Sequence, residues 1–154
     1  MTEDNIKIIA RNKRARHEYS IFDTYEAGIA LKGSEVKSIR EGKASLAEAY
    51  ARVIEGEVWL IGAYIKPYEY TSLYDQQHPR RDRKLLLHKR QIRDLERQTR
   101  VKGNTIIPLS LYFRDGYAKV EIGVGTGKKK YDKRQDMKER EARREMDRAM
   151  KKYN

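Results

Sequence analysis

The chain has 154 residues, a formal net charge of +12 at pH 7 and no cysteine. That length accommodates one domain and an appendage. The missing cysteine excludes disulfides, zinc knuckles, thiol catalysis and haem attachment, and no apolar run approaches the ~20 residues of a membrane helix.

Charged residues make up 38% of the chain, against about a quarter in ordinary domains. The basic excess is concentrated: Lys128 to Asn154 carries twelve Lys/Arg against six Asp/Glu, half of the net charge in 27 residues. A basic body with a basic extension implies a polyanionic partner. The acidic, polar start, Met1-Thr-Glu-Asp-Asn5, has no feature of a secretory signal.

Order is expected from Ile6 onward. Arg11-Asn-Lys-Arg-Ala-Arg-His-Glu-Tyr19 sets Arg11, Lys13, Arg14, Arg16 and His17 around the small Ala15 as potential RNA contacts. Tyr19 to Leu31 is rich in aromatic and β-branched residues and reads as a strand with a bulge or bend at Gly28. A short helix opens at Gly33, with Ser34 as its cap and Gly42 as its stop. Tyr50–Glu55 and Glu57–Ile61 flank a turn at Gly56, and the second arm is expected to continue through Tyr64 and Ile65.

Tyr68 to Lys84 reads as a loop rich in Tyr and Arg, a mixture suited to base stacking and phosphate contact. Leu85-Leu-Leu87, Ile92 and Leu95 form the apolar side of a helix predicted from about 86 to 99. Thr105–Phe113 and Tyr117–Val124 are paired strands about an Asp115-Gly116 turn, with Leu109, Leu111 and Phe113 on one face and Val120, Ile122 and Val124 inward. The predicted fold is mainly β with α: a small antiparallel barrel of the oligonucleotide-binding type over 1–127, with short flanking helices and a basic tail over 128–154. Opposite charges four apart (Asp136 with Arg140, Glu139 with Arg143, Asp147 with Lys151) favour a helix, but the apolar stripe is thin. The tail is therefore expected to be disordered when free and helical when bound.

Chemistry is poorly supplied. His17, His78 and His88 share no ligand spacing, and no cofactor or metal motif is present. The Gly123-Val-Gly-Thr-Gly127 run precedes three lysines rather than a phosphate-binding helix, and reads as a flexible exit from the barrel. Binding features dominate, and unpaired or irregular RNA is favoured over duplex DNA. A generic RNA-binding or ribosomal protein and an RNA-processing enzyme are the competing readings.

Six blocks carry a family resemblance: Asn12–Tyr19, Glu26-Ala-Gly28, Gly33–Ser38 with Arg40 and Gly42, Pro79–Leu87, Pro108–Tyr112, and Gly127–Arg134. In this order they resemble the SsrA-binding (SmpB) family over nearly the whole chain. The resemblance implies a non-enzymatic adaptor for trans-translation, in the bacterial cytoplasm, with no membrane, cofactor or small-molecule substrate. Its partners would be the tRNA-like domain of transfer-messenger RNA (tmRNA), the small-subunit rRNA at the decoding centre, and elongation factor Tu in the delivery complex.

Carried over by position, the tmRNA-facing residues would be Asn12, Lys13, His17, Glu26, Leu86 and Lys119, beside the Arg14 and Arg16 already singled out by composition. Gly127, Lys128, Lys129, Asp132, Lys133 and Arg134 match the segment that engages the decoding centre. Tyr131 stands where members often carry His: it can stack, but it cannot be a cation near neutral pH. Lys138, Arg140, Arg143 and Arg144 would follow the empty message channel.

Overall fold

The computed structural model describes residues 5–72, 74, 76–128 and 130–152, and within the C-terminal helix the side chains of 137–149. In chain order the elements are β1 (Ile6–Arg11), α1 (Ala15–Glu18), β2 (Tyr19–Ile29), α2 (Gly33–Arg40), β3 (Ala44–Ser45), β4 (Tyr50–Ile54), β5 (Glu57–Ile61), β6 (Tyr64–Ile65), β7 (Arg83–Leu86), α3 (Lys89–Thr99), β8 (Asn104–Arg114), β9 (Tyr117–Gly127) and α4 (Lys130–Lys152). The main sheet runs β1-β8-β4-β5-β7-β2-β9 and is entirely antiparallel; β9 then pairs back to β8, so six strands form a closed ring with β1 on its rim. Closure removes the free edges of those six strands, which would otherwise invite strand addition.

Inside the ring, the alternating residues Val120, Ile122 and Val124 of β9 are fully buried, with Ala27, Val58, Leu60, Leu85 and Ile106 beside them. Leu95 of α3 and Ile39 of α2 close the core. The two predicted two-residue turns are present: Glu55-Gly56 and Asp115-Gly116 both take positive φ at each residue, the twist that matches paired strands.

Several expectations are corrected. Ser34 does not cap α2. The helix begins after Lys32, whose N–H donates to the Glu35 carboxylate at 2.9 Å, while Gly42 N–H to Ile39 C=O and Lys43 N–H to Ser38 C=O end it as a glycine stop requires. The second hairpin arm stops at Ile61. Gly62, at φ +81°, turns the chain, and Tyr64–Ile65 joins a separate two-stranded sheet with Ala44–Ser45. Leu85 and Leu86 belong to a strand, and α3 begins only at Lys89; an apolar triplet has no period by which strand and helix can be told apart.

The greatest difference lies at the glycine run. Gly123 and Gly125 are buried within β9, not part of an exit. Beside them β2 bulges at Phe22, between Ile21 and Asp23, and β8 bulges at Leu109, between Pro108 and Ser110; the expected bulge at Gly28 is absent. A bulge exchanges faces. Leu109 therefore parts company with Leu111 and Phe113: it joins Ile107, Ile21, Tyr19 and Ala15 in a second apolar cluster outside the ring. A Cβ at Gly123 would stand 2.8 Å from Ile21 Cγ2, and one at Gly125 only 2.3 Å from the Ser20 carbonyl oxygen. The missing side chains make room for α1 to dock on the barrel through Ala15.

Replacing Gly125 by Ala is expected to cost at least about 2–3 kcal/mol, because the obstacle is backbone and cannot yield. Gly127→Ala, where a Cβ meets nothing within 4 Å, should cost under about 0.5 kcal/mol. Denaturant titration measures both; equal effects would contradict the close approach.

Candidate nucleic-acid interface

Strand register assembles the first group of side chains. Gly28 of β2 faces Leu86 of β7 on one side and Lys119 of β9 on the other; Lys119 faces Tyr112 of β8, and Tyr112 faces Ile8 of β1. Ala27, Leu85 and Val120 point inward, so Leu86, Gly28 and Lys119 share the outer face. Leu86 is 52% exposed, and a Cβ at Gly28 would come within 3.3 Å of its Cβ. Gly28 puts no side chain between Leu86 and Lys119.

Glu26 lies two residues along β2 on this face and accepts hydrogen bonds from Tyr112 Oη and, at 2.9 Å, from Arg114 Nε. Both donors reach across β9, because the main-chain partner of Glu26 is Glu121. The Tyr112 hydroxyl, followed by Arg114 and the nearby charge of Lys119, holds the Glu26 carboxyl below its usual range against the opposing effect of burial. Burial and the Glu26 charge push the Tyr112 hydroxyl up to about 12. Arg114 also stands over the Tyr112 ring, 5.9 Å from its centroid. The result is a fixed carboxylate and guanidinium beside the Lys119 ammonium, flanked by exposed Leu86, Ile8 and Tyr117.

The second group sits at the other end of the same face, eight residues along β9 from Lys119, or roughly 26 Å of strand. Asn12 is less available than its place in the motif implies: its Nδ2 donates to Pro108 C=O at 3.0 Å and its N–H to Leu109 C=O at 2.8 Å, anchoring the turn before α1 to the bulge of β8. Lys13, Arg14 and Arg16 are exposed around that turn, and His17 is half-buried. A cleft of about 370 Å³ opens beside them, lined by Asn12, Arg14, Glu18, Tyr19 and Tyr50 among others.

α1 also holds the base of the tail. Lys128 N–H donates to Glu18 C=O at 2.9 Å and Lys128 Nζ to Arg16 C=O at 2.9 Å. The chain thus leaves the barrel in a defined direction, from the exposed Gly127 into α4. Residues 137–149 are exposed throughout, Lys138, Arg140, Arg143 and Arg144 among them, so α4 does not lie on the barrel over that stretch. Lys129 and the side chains of Tyr131, Asp132, Lys133 and Arg134 fall outside the described residues.

Sequence reasoning named neither Tyr112 nor Arg114 as part of the site. The alternation of Leu109, Leu111 and Phe113 leaves Tyr112 on the opposite face, but an aromatic residue in a strand reads as ordinary packing, and Arg114 read as turn. Among the described residues, no three His, Asp or Glu side chains gather as a metal site requires, and no helix is long and apolar enough to cross a membrane.

A closed antiparallel ring with one polar and aromatic outer face, running into an anchored basic helix, is matched by known proteins. The family model for the SmpB protein matches residues 9–152. The chain belongs to this family. It is 51% identical to an SsrA-binding protein of Listeria welshimeri, over 98% of this chain and 97% of that protein. To SsrA-binding proteins of Geobacillus thermodenitrificans and Thermobifida fusca it is 54% and 56% identical, over 93% and 94% of its length and 92% and 89% of theirs. A solved structure described as "tmRNA-SmpB: a journey to the center of the bacterial ribosome" superposes with a TM-score of 0.65 at 53% identity, covering 78% of this chain and 84% of that one.

Tyr112→Phe should raise the Glu26 pKa, since the largest influence lowering it is removed. Carboxyl carbon NMR follows this titration. A Glu26 pKa that does not move would contradict the hydrogen bond.

Proposed function

We propose that the protein is a non-catalytic adaptor that binds the tRNA-like domain of tmRNA through the outer face of β7, β2, β9 and β8, and brings it to stalled ribosomes for trans-translation. The observation that carries this reading is the convergence of Glu26, Leu86 and Lys119, residues far apart in sequence, onto one exposed face. Membership of the SmpB family and the names of its relatives support the same partner.

The physics fits a folded RNA better than a uniform polyanion. Lysine and arginine supply affinity without selectivity through counterion release. A fixed carboxylate in their midst repels misplaced phosphate and can accept a hydrogen bond from a base amine or a ribose hydroxyl, so it favours one register. Leu86 and the nearby Tyr117 offer apolar and stacking area.

The reading extends to the tail. The α1 contacts of Lys128 aim α4 away from the barrel, and its cationic side chains would meet rRNA in the decoding centre and in an empty message channel. Delivery in company with elongation factor Tu and action in the bacterial cytoplasm complete the proposal.

Binding is compared at matched salt. The tRNA-like domain should bind at least roughly tenfold tighter than an ordinary tRNA, a preference of about 1.4 kcal/mol. Lys119→Ala should weaken the former by about 1–3 kcal/mol. Equal affinity for the two RNAs would overturn the reading. Deleting 132–154 should leave that affinity nearly unchanged and abolish peptide tagging on stalled ribosomes; a truncated protein that still tags would remove the tail's role.

A further inference from the structure

Beyond the end of β2, α2 and the segment after β6 enclose a surface that the proposed RNA face does not include. Lys37 Nζ stands 5.5 Å from the centroid of the Tyr68 ring, and Tyr70 meets Tyr68 edge to face with centroids 5.4 Å apart. Tyr70 is 77% exposed, so its ring contributes almost nothing to the core. Between this ledge and the first turn of α2 lies a cleft of about 460 Å³, in which the only charged lining residues among those described are Lys32 and Lys37. Glu41 and Glu69 line a separate cleft on the far side of Tyr68, with Lys43 and Lys66.

The walls are firmly held. Buried Glu35 accepts from Lys32 N–H, from Arg81 Nε at 3.1 Å and from Arg83 Nε at 2.7 Å; Arg83, fully buried, donates onward to Ala63 C=O and Pro79 C=O. The cleft also adjoins the RNA face. Ala30 N–H donates to Lys84 C=O just past the Gly28–Leu86 pair, and Lys32 follows two residues later.

We propose that this cleft takes one unpaired nucleotide of an RNA strand, its base stacked on Tyr70 and its phosphate between Lys32 and Lys37. The inference rests on the RNA-binding reading above and adds a single-strand contact to it. Exposed rings beside cations are what sequence-tolerant single-strand binding requires. The Tyr70 hydroxyl donates to the Glu69 carboxylate at the ring's edge, and the ring stays 77% exposed for stacking. Among the described residues, none lining the cleft is aliphatic, as the apolar anchors of a docked peptide would need.

The test uses the full chain and fluorescently labelled hexaadenylate, with anisotropy read at fixed salt. Tyr70→Ala and Lys37→Ala should each lower affinity about fivefold or more, and Tyr70→Phe should retain it. Exposure of Tyr70 means that its variants should melt like the parent. Hexaadenylate affinity unchanged in Tyr70→Ala would overturn the proposal. A polyglutamate peptide that competes and depends on Tyr70 to the same degree would overturn it in favour of an acidic peptide.

Titrating the same variants with the tRNA-like domain separates the sources: a parallel loss places the nucleotide in that RNA, and a loss with hexaadenylate alone places it in another strand. Either supports the site. Preference for the tRNA-like domain over tRNA with no Tyr70 dependence for hexaadenylate refutes the cleft and spares the function. Tyr70-dependent hexaadenylate binding without that preference does the reverse.

Discussion

Gly123 and Gly125 leave two gaps on the outer face of β9, and the flanking strands exploit them from both sides. β2 and β8 each insert one extra residue there, which swings Ile21 and Leu109 outward over the gap. The backbone of β2 approaches Gly125 so closely that no side chain could stand there. This constraint gives a four-residue helix, too short to persist alone, an apolar seat on the barrel for Ala15. With α1 seated, Arg14, Arg16 and His17 are presented at fixed positions and Lys128 finds its two carbonyl partners. The direction in which the basic helix departs thus depends on two glycines several residues upstream.

Toward the other end of β9 the ring curves without interruption, and register alone brings Leu86, Gly28, Lys119, Tyr112 and Ile8 into one transverse row. Glu26 is the pivot. Its carboxylate sits among two cations and a phenol that give it reason to remain ionised, and it restrains Arg114 and Tyr112 in return. Preorganisation of this kind reduces the side-chain ordering that RNA binding must otherwise pay for. The two ends of β9 therefore divide the labour: a fixed polar grip near Lys119, and an anchored cluster of cations leading into the tail near Gly127.

The sequence made the barrel legible where alternation was clean and turns were marked. Val120, Ile122 and Val124 were assigned inward correctly, and the Gly56 and Gly116 hairpins were placed. It failed where local signals compete. Leu109 looked like part of a regular face because a bulge is invisible to a period-two count. Leu85 to Leu87 looked helical because the helix that follows begins only two residues later. The glycine run suggested flexibility, whereas glycine here serves close packing. Of the site, the basic cluster before Tyr19 was visible as composition. Glu26 and Leu86 were reachable only through family likeness, since an exposed Glu and an exposed Leu on separate strands carry no pattern of their own. The tail was expected to be disordered when free, whereas the chain carries it as the helix α4: its charge spacing supports that helix, and its thin apolar stripe leaves 137–149 off the barrel.

The central claim is that one outer face of the ring grips RNA while the basic helix stands clear of it. Backbone amide chemical shifts of the full chain, followed while the tRNA-like domain is added, test it most directly. Gly28, Leu86, Tyr112 and Lys119 should shift together and saturate together, with residues 137–149 nearly unmoved. Shifts confined to α1 and α4, with the transverse row silent, would contradict the account.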